Sequence, residues 1–404
     1  MKRPELLAPA GDFEKLVTAI HYGADAVYLG SSRFSLRHKA DNFELEELKR
    51  AVQFTHQKGK RAYVTVNIFP HNRDIALIKE YIGELKSIRP DAIIISDPAV
   101  LTISKKVYPE LPIHISTQAN ITNKGAALFW ESLGVRRLVL SRELTIGEIK
   151  EIRDTVSVEI EVFVHGSICI SYSGRCYISS FLASRGANLG HCTNSCRWNY
   201  TLMEEKRPNE YMPVFEDDRG TYLMSSKDLC MVEHIDKLVA AGVDSLKIEG
   251  RIKGINYVGG VVKVYREAID SLSPHKPYEC LPRWKEELMS VSNRGYTTGM
   301  FFGSQPKEDY NFDGTSYRST RELVGVLTEV QDGYASVNLR HTLKVGDKVE
   351  FLTPGLEMSE FEVLEMRDVE CASLTVGRNG QSVIIPVPLG VRPLDLVRRR
   401  KVGS

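Results

Sequence analysis

The feature that most constrains this chain is an alternation. Eight short apolar runs recur, and segments of helical period lie between them. The runs are Leu6–Ala10, Ala26–Gly30, Arg61–Asn67, Ala92–Ser96, Ile113–Gln118, Leu138–Ser141, Glu161–His165 and Ser245–Glu249. The intervening segments carry start and stop signals. Asp12 is placed to cap a helix that Gly23 ends, and Asn42 opens FELEELKRAVQFTHQKG, which closes at Gly59. Asp97-Pro98 is an N-cap followed by proline at the first helical position. Thr145-x-x-Glu148 is a capping-box pattern. Eight alternating units predict an α/β fold, a (β/α)8 TIM-like barrel. An open doubly wound sheet is the alternative, but no glycine-rich dinucleotide fingerprint follows the first run.

At 404 residues the chain has room for two or three domains. The predicted layout is a barrel over 1–270 with an insertion (166–230) after strand seven, a connecting segment over 271–318 and a small C-terminal β-barrel domain over 319–404. The composition shifts near Ser271. Beyond it, short strands such as Glu322–Val330, Tyr334–Leu339, Lys348–Phe351 and Ser382–Pro386 are separated by Asp332-Gly333 and Asn379-Gly380 turns. The net charge of +1 means that a nucleic acid would have to meet a local patch rather than a global field. The run Arg398-Arg399-Arg400-Lys401 reads equally as a solvated terminus or as an RNA contact. No run of eighteen apolar residues exists, so no membrane span is expected. Met1-Lys2-Arg3-Pro4 leads straight into a strand-like run, so no secretory leader is expected and the cytoplasm is the expected compartment.

Five of the seven cysteines cluster after strand seven: Cys169, Cys176, Cys192, Cys196 and Cys230. Their neighbours are polar or glycine, which disfavours five thiols simply buried as small core hydrophobes. Cytosolic thiols stay reduced, so the clustering points to metal or redox chemistry. Zinc favours two close Cys pairs, and only the Cys192–Cys196 gap fits one. An all-thiolate [4Fe–4S] site tolerates wide spacing and is the preferred reading. Within this insertion, Arg197–Glu205 and Tyr211–Ser225 read as a β-ribbon. Ser225-x-x-Asp228 reads as a helix start, with Cys230 in the first turn. Cys280 and Cys371 read as isolated core or loop thiols.

The run Glu161-x-Phe163-x2-Gly166-Ser167-Ile168-Cys169-x4-Gly174-x-Cys176-x-Ile178-Ser179 resembles the signature of the collagenase-like peptidase family, of unknown catalytic type. Members of that family include proteins of tRNA, rRNA and ubiquinone hydroxylation, and the resemblance is nearest to the tRNA branch. It implies an RNA-modifying hydroxylase that forms 5-hydroxyuridine at the wobble position by a prephenate-dependent route. It also implies a [4Fe–4S] cluster on Cys169, Cys176, Cys192 and Cys230, with Cys196 as a spare or substitute. The implied partners are tRNA, a small carboxylate co-substrate and a homologous protein subunit. The family name implies the alternative, a peptidase acting on protein substrates. No H-E-x-x-H or G-x-S-x-G supports a standard peptidase mechanism.

In TIM-like barrels, function sits at the C-terminal strand ends. Those ends supply Asn67, Asp97, Gln118, Asn120, Arg142, Glu143, His165, Glu249 and Arg251. Glu249 and Arg251 flank Gly250 in one short turn, and an arginine there is suited to a carboxylate. His165, four residues before Cys169, is the third candidate catalytic residue.

Overall fold

Eight parallel strands close on themselves in the computed structural model. The structure describes residues 2–35, 42–169, 171–176, 178–183, 192, 195, 202–203, 211–212, 215–217, 220–222, 225–303, 310–311, 317–355 and 360–401. The first seven barrel strands are β1 (Glu5–Ala10), β2 (Ala26–Gly30), β3 (Arg61–Val66), β4 (Ala92–Ile95), β5 (Ile113–Ile115), β6 (Arg137–Val139) and β7 (Glu159–Gly166). The chain then returns as β8 (Asp228–Cys230), outside the barrel, and β9 (Ser245–Ile248) supplies the eighth barrel strand. β9 pairs with β1 on one side and β7 on the other, so the barrel has no free edge. β1, β2 and β4 are buried along their whole length. This is why they read as continuous apolar runs: helices cover one face and the barrel interior the other. Truncating one such residue, as in Leu29→Ala, should cost about 2–5 kcal/mol.

The helix signals at Asp12, Asp97 and Thr145 hold, and those at Asn42 and Ser225 do not. Helix α1 (Phe13–His21) is capped by Asp12, which accepts from the Lys15 amide at 2.8 Å. Helix α2 (Leu45–Gln57) starts later than the sequence suggests: Glu44, not Asn42, is its N-cap, in a capping box with Glu47. Helix α3 spans Ile75–Ile88, and α4 (Pro98–Val107) starts with Asp97 accepting from the Ala99 amide at 2.8 Å. That bond explains Asp97 as a helix cap. Helices α5 (Lys124–Ser132) and α6 (Ile146–Arg153) complete the first six units, and Thr145 and Glu148 form the expected capping box. After α7 (Ile178–Ala183) come α8 (Ile235–Ala240), α9 (Ile255–Ser271) and α10 (Pro282–Ser290). Among the described residues no helix is long and apolar enough to cross a membrane.

The N-terminal end of the barrel interior is charged. Arg137 meets Glu5 at 2.6 Å, Glu159 at 2.7 Å and Glu161 at 2.9 Å. Lys247 meets Glu161 at 2.8 Å, and Arg61 meets Glu5 at 2.5 Å. Tyr63 donates to Glu5 at 2.7 Å, and the ring of the buried His114 lies 4.7 Å from that of Tyr63. Burial alone would push the Glu161 carboxyl up, but Lys247 and Arg137 overcome it and hold it below the ordinary glutamate value.

The C-terminal part is an antiparallel sheet. Its strands are β10 (Arg321–Gln331), β11 (Tyr334–Leu339), β12 (Lys348–Leu352), β13 (Glu360–Glu362), β14 (Ser382–Pro386) and β15 (Leu396–Arg400), ordered β13-β12-β15-β10-β11-β14. The β10–β11 turn places Asp332 and Gly333 at φ 51° and 79°, the doubly left-handed turn that matches strand twist. Of the basic run 398–401, the first three residues are in β15, with Arg398 buried and Arg400 and Lys401 exposed. Arg398 is fully buried and reaches Glu287 on α10 at 2.7 and 2.8 Å and Glu350 at 3.0 Å. Tyr22 donates to the Leu352 carbonyl at 2.6 Å and accepts from the Leu396 amide at 3.1 Å. Leu352 and Leu396 therefore belong to the barrel's own hydrophobic cluster. Helix α9 lies under this contact. A side chain at Gly259 would come within 2.9 Å of the Tyr22 ring, and one at Gly260 within 2.5 Å of Glu287.

Candidate functional site

The site is built on the C-terminal strand ends, as barrel geometry requires. Arg251 follows β9 and is 4% exposed. Its guanidinium reaches across the mouth to the ends of two other units, donating to Ser35 at 2.8 Å and to Thr65 at 3.4 Å. Ser35 and Thr65 are themselves 2.7 Å apart, and Thr65 donates to the Leu29 carbonyl at 3.0 Å. The result is a planar cation laid over a hydroxyl-lined patch. Glu249, also buried, accepts from the Ser167 amide at 3.2 Å, so it ties the β9 turn to the start of the cysteine segment. The Tyr257 hydroxyl donates to the Glu249 carbonyl at 2.9 Å.

A neutral amide and hydroxyl layer adjoins these charges. Asn67 donates to the Gln118 side-chain oxygen at 3.3 Å, and Ser96 and Ser116 direct their hydroxyls to the same atom. Ser141 donates to Asn120 at 3.2 Å. Arg142 stacks over the Phe163 ring at 4.0 Å.

His165 is 1% exposed, and the rings of Tyr257, Tyr265 and Tyr296 surround it at 5.9, 5.4 and 5.2 Å. Its Nδ1 lies 3.4 Å from the Tyr265 hydroxyl, and among the described residues its Nε2 meets no hydrogen-bond partner. Burial pulls its pKa down to about 3, so the ring is neutral at physiological pH. The structure thus sets His165 inside an aromatic cage beneath the rim.

Three of the proposed ligand cysteines are placed at this mouth. Cys169 is exposed, three residues past β7. Cys176 is half-buried on the turn that follows. Cys230 lies in β8, which runs antiparallel to the end of β7 with Cys230 in register with His165. A strand therefore replaces the expected helical first turn, because the pairing with β7 satisfies this backbone and the next helix, α8, starts only at Ile235. Burial pushes the Cys230 thiol up to about 12, and the Tyr265 hydroxyl donates to its sulfur at 3.9 Å. Cys192 is half-buried and accepts from Ser179, three residues past Cys176, at 3.8 Å. Cys196 lies outside the described residues. Cys280 packs against the same core as Cys230 and helps raise that thiol's pKa.

The four thiols suit an iron–sulfur cluster in kind. Among the described residues, no group of three or more His, Cys, Asp or Glu side chains converges. The ribbon reading of the insertion stands where it is described: Leu202–Met203 pairs antiparallel with Tyr211–Met212, and Phe215–Asp217 with Gly220–Tyr222.

Sequence reasoning missed Lys253. Its ammonium lies 3.7 Å from the Tyr317 ring and 5.2 Å from the Tyr257 ring, and donates to Ser292 at 3.2 and 3.3 Å. Burial holds its pKa below the ordinary lysine value. The available signal was the spacing Glu249-x-Arg251-x-Lys253, three charged residues at alternate positions past a barrel strand.

The glycine of the signature has a physical reason. Gly174 has φ +74°, and a β-carbon there would lie 2.2 Å from the Gln118 carbonyl oxygen. The neighbouring Ser173 amide donates to Glu143 at 2.9 Å. The cysteine segment is thus pressed onto the barrel rim, which requires a residue without a side chain.

Comparison with known proteins places the chain in a family. Residues 11–311 match the family model described as peptidase family U32, and residues 319–398 match that family's C-terminal domain. The tRNA hydroxylation protein P1 of Bacillus subtilis is 38% identical over 99% of this chain and 96% of its own length. The tRNA hydroxylation protein P of Escherichia coli is 39% identical over 96% of this chain and 94% of its own. A protein of Porphyromonas gingivalis named collagenase is 33% identical over 98% of this chain and 97% of its own. The chain belongs to peptidase family U32 and carries both the barrel and the C-terminal domain of that family.

Proposed function

We propose that this protein hydroxylates tRNA in the cytoplasm, forming 5-hydroxyuridine at the wobble position with prephenate as a co-substrate and a [4Fe–4S] cluster as cofactor. The observation that carries the reading is end-to-end similarity, at 38% and 39% identity, to two proteins named for tRNA hydroxylation. The barrel mouth supports it. Arg251 offers a planar fork suited to a carboxylate, over a patch lined by hydroxyls. Glu249 holds the first residues of the cysteine segment against the β9 turn. Cys169, Cys176, Cys192 and Cys230 would hold the cluster, and binding it would release the thiol protons. When bound, such a cluster supplies one-electron transfer at a potential set by its surroundings. The chain's own residues orient the acid, close the mouth with the cysteine segment and keep His165 neutral below it. A homologous subunit is a further proposed partner.

The second reading is a peptidase, favoured by the relative named collagenase. Nucleoside mass spectrometry of tRNA from a deletion strain decides between them. Loss of 5-hydroxyuridine derivatives, restored by the wild-type gene, supports hydroxylation. Unchanged nucleosides, together with cleavage of a collagen peptide by the purified protein, would support the peptidase.

A further inference from the structure

The segment between the first two cysteines is a β-turn with two different faces. The Arg175 amide donates to the Tyr172 carbonyl at 3.0 Å, and Ser173 and Gly174 form the apex. The apex points down. The Ser173 hydroxyl donates to both Glu143 oxygens, at 3.3 and 3.1 Å, and the Thr117 hydroxyl reaches it at 3.4 Å. Ser173 is consequently 9% exposed. The two flanking residues face the other way. Tyr172 is 59% exposed and Arg175 is also exposed.

A large ring left in water on a turn fastened this firmly adds little to the fold. The turn that carries it is, however, already fastened, so a planar ligand stacking on the ring pays little for fixing the turn. An aromatic ring and a guanidinium carried on one exposed turn are the chemistry that meets an unpaired nucleotide: the ring takes the base, and the cation takes a phosphate or stacks in turn. The position fits as well. Tyr172 lies three residues after Cys169 and four before Cys176, on the rim above Gln118 and Glu143. A base stacked there lies on the outer face of the segment, at the edge of the barrel mouth.

We propose that Tyr172 and Arg175 form the docking platform for the nucleotide that is modified, with the Tyr172 ring stacking on the uracil and Arg175 meeting the adjoining phosphate. This rests on the tRNA reading above and specifies how that substrate is held.

The test uses anaerobically purified full-length protein and two fluorescein-labelled anticodon stem-loop RNAs. One has uridine at the wobble position, and the other is abasic there. Binding is read by anisotropy over a range of salt. The wild type should bind the abasic RNA about tenfold more weakly than the uridine RNA, the scale of one base–aromatic stack. Tyr172→Ala should lose a similar factor on the uridine RNA and be indifferent to the abasic change. Tyr172→Phe should bind as the wild type does. Arg175→Ala should make the salt dependence shallower by about 0.7–0.9 in the log–log slope, one phosphate contact. Equal wild-type affinity for the two RNAs overturns the proposal without reference to any variant. So does a Tyr172→Ala protein that binds the uridine RNA as tightly as the wild type. If the wild type binds neither stem-loop nor whole tRNA, the tRNA reading itself falls, and the platform with it.

Discussion

The two ends of the barrel carry charge in opposite ways. At the N-terminal end, Glu5, Glu159 and Glu161 face Arg61, Arg137 and Lys247 in one network, and Arg136 also pairs with Glu159. At the C-terminal end, Arg251 lies on the Ser35 and Thr65 hydroxyls, and Glu249 accepts a backbone amide of the cysteine segment. Opposite charges paired in a dry interior satisfy one another and hold a shape. At the mouth the Arg251 cation instead rests on neutral hydroxyls. The two ends of one architecture thus pair their charges differently, carboxylates against cations at one and a cation against hydroxyls at the other.

The comparison can be broken from either end, and the largest effect is expected at the mouth. Serine at Cys169, Cys176, Cys192 or Cys230 should remove the proposed cluster, leaving anaerobically purified protein nearly free of the roughly four iron and four sulfide expected of a [4Fe–4S] site. Serine at Cys371 should retain them. Iron and sulfide assays read this, and a colourless wild-type protein with stoichiometric zinc would contradict the cluster.

Next is the floor. Glu161→Gln leaves Lys247 and Arg137 buried beside a neutral group and should cost about 3–5 kcal/mol in denaturant unfolding. Because the folded carboxyl sits below its unfolded value, its contribution is present above about pH 4.3 and lost as pH falls through the folded value. The variant should lack that part of the acid transition.

A smaller effect is expected at His114. Burial first, then Arg137 and Lys247, hold its pKa well below the ordinary histidine value. The unfolded chain takes up this proton first, so stability should fall as pH drops below about 6.5. His114→Asn should flatten that slope in pH-dependent melting, and an unchanged slope would assign it elsewhere.

What the sequence revealed follows from the range of each interaction. The eight strands were legible because parallel strands covered on both faces need apolar residues throughout. The caps at Asp12, Asp97 and Thr145 were legible because each acts within three residues. Asn42 misled because Glu44 competes for the same helix end. Arg398 looked like part of a tail because its partners, Glu287 and Glu350, are 111 and 48 residues away. Cys230 looked helical because its pairing with β7 across the insertion leaves no local trace. The floor network was hidden for a similar reason. Glu5, Arg137 and Lys247 each read as one polar residue at or near a strand end, and only closure of the barrel brings them together.

The central claim is that the mouth, not the floor, acts on tRNA. The most direct measurement is the 5-hydroxyuridine content of tRNA in a deletion strain complemented with Arg251→Lys. The melting temperature and iron content of the purified variant are measured alongside it. Lysine keeps the charge and loses the fork. A hydrogen bond to a charged group contributes about 1.5–3 kcal/mol, roughly ten- to a hundredfold in binding. The expected result is a normal melting temperature, normal iron and most of the hydroxylation lost. Full hydroxylation by a stable, iron-replete Arg251→Lys protein would contradict the account.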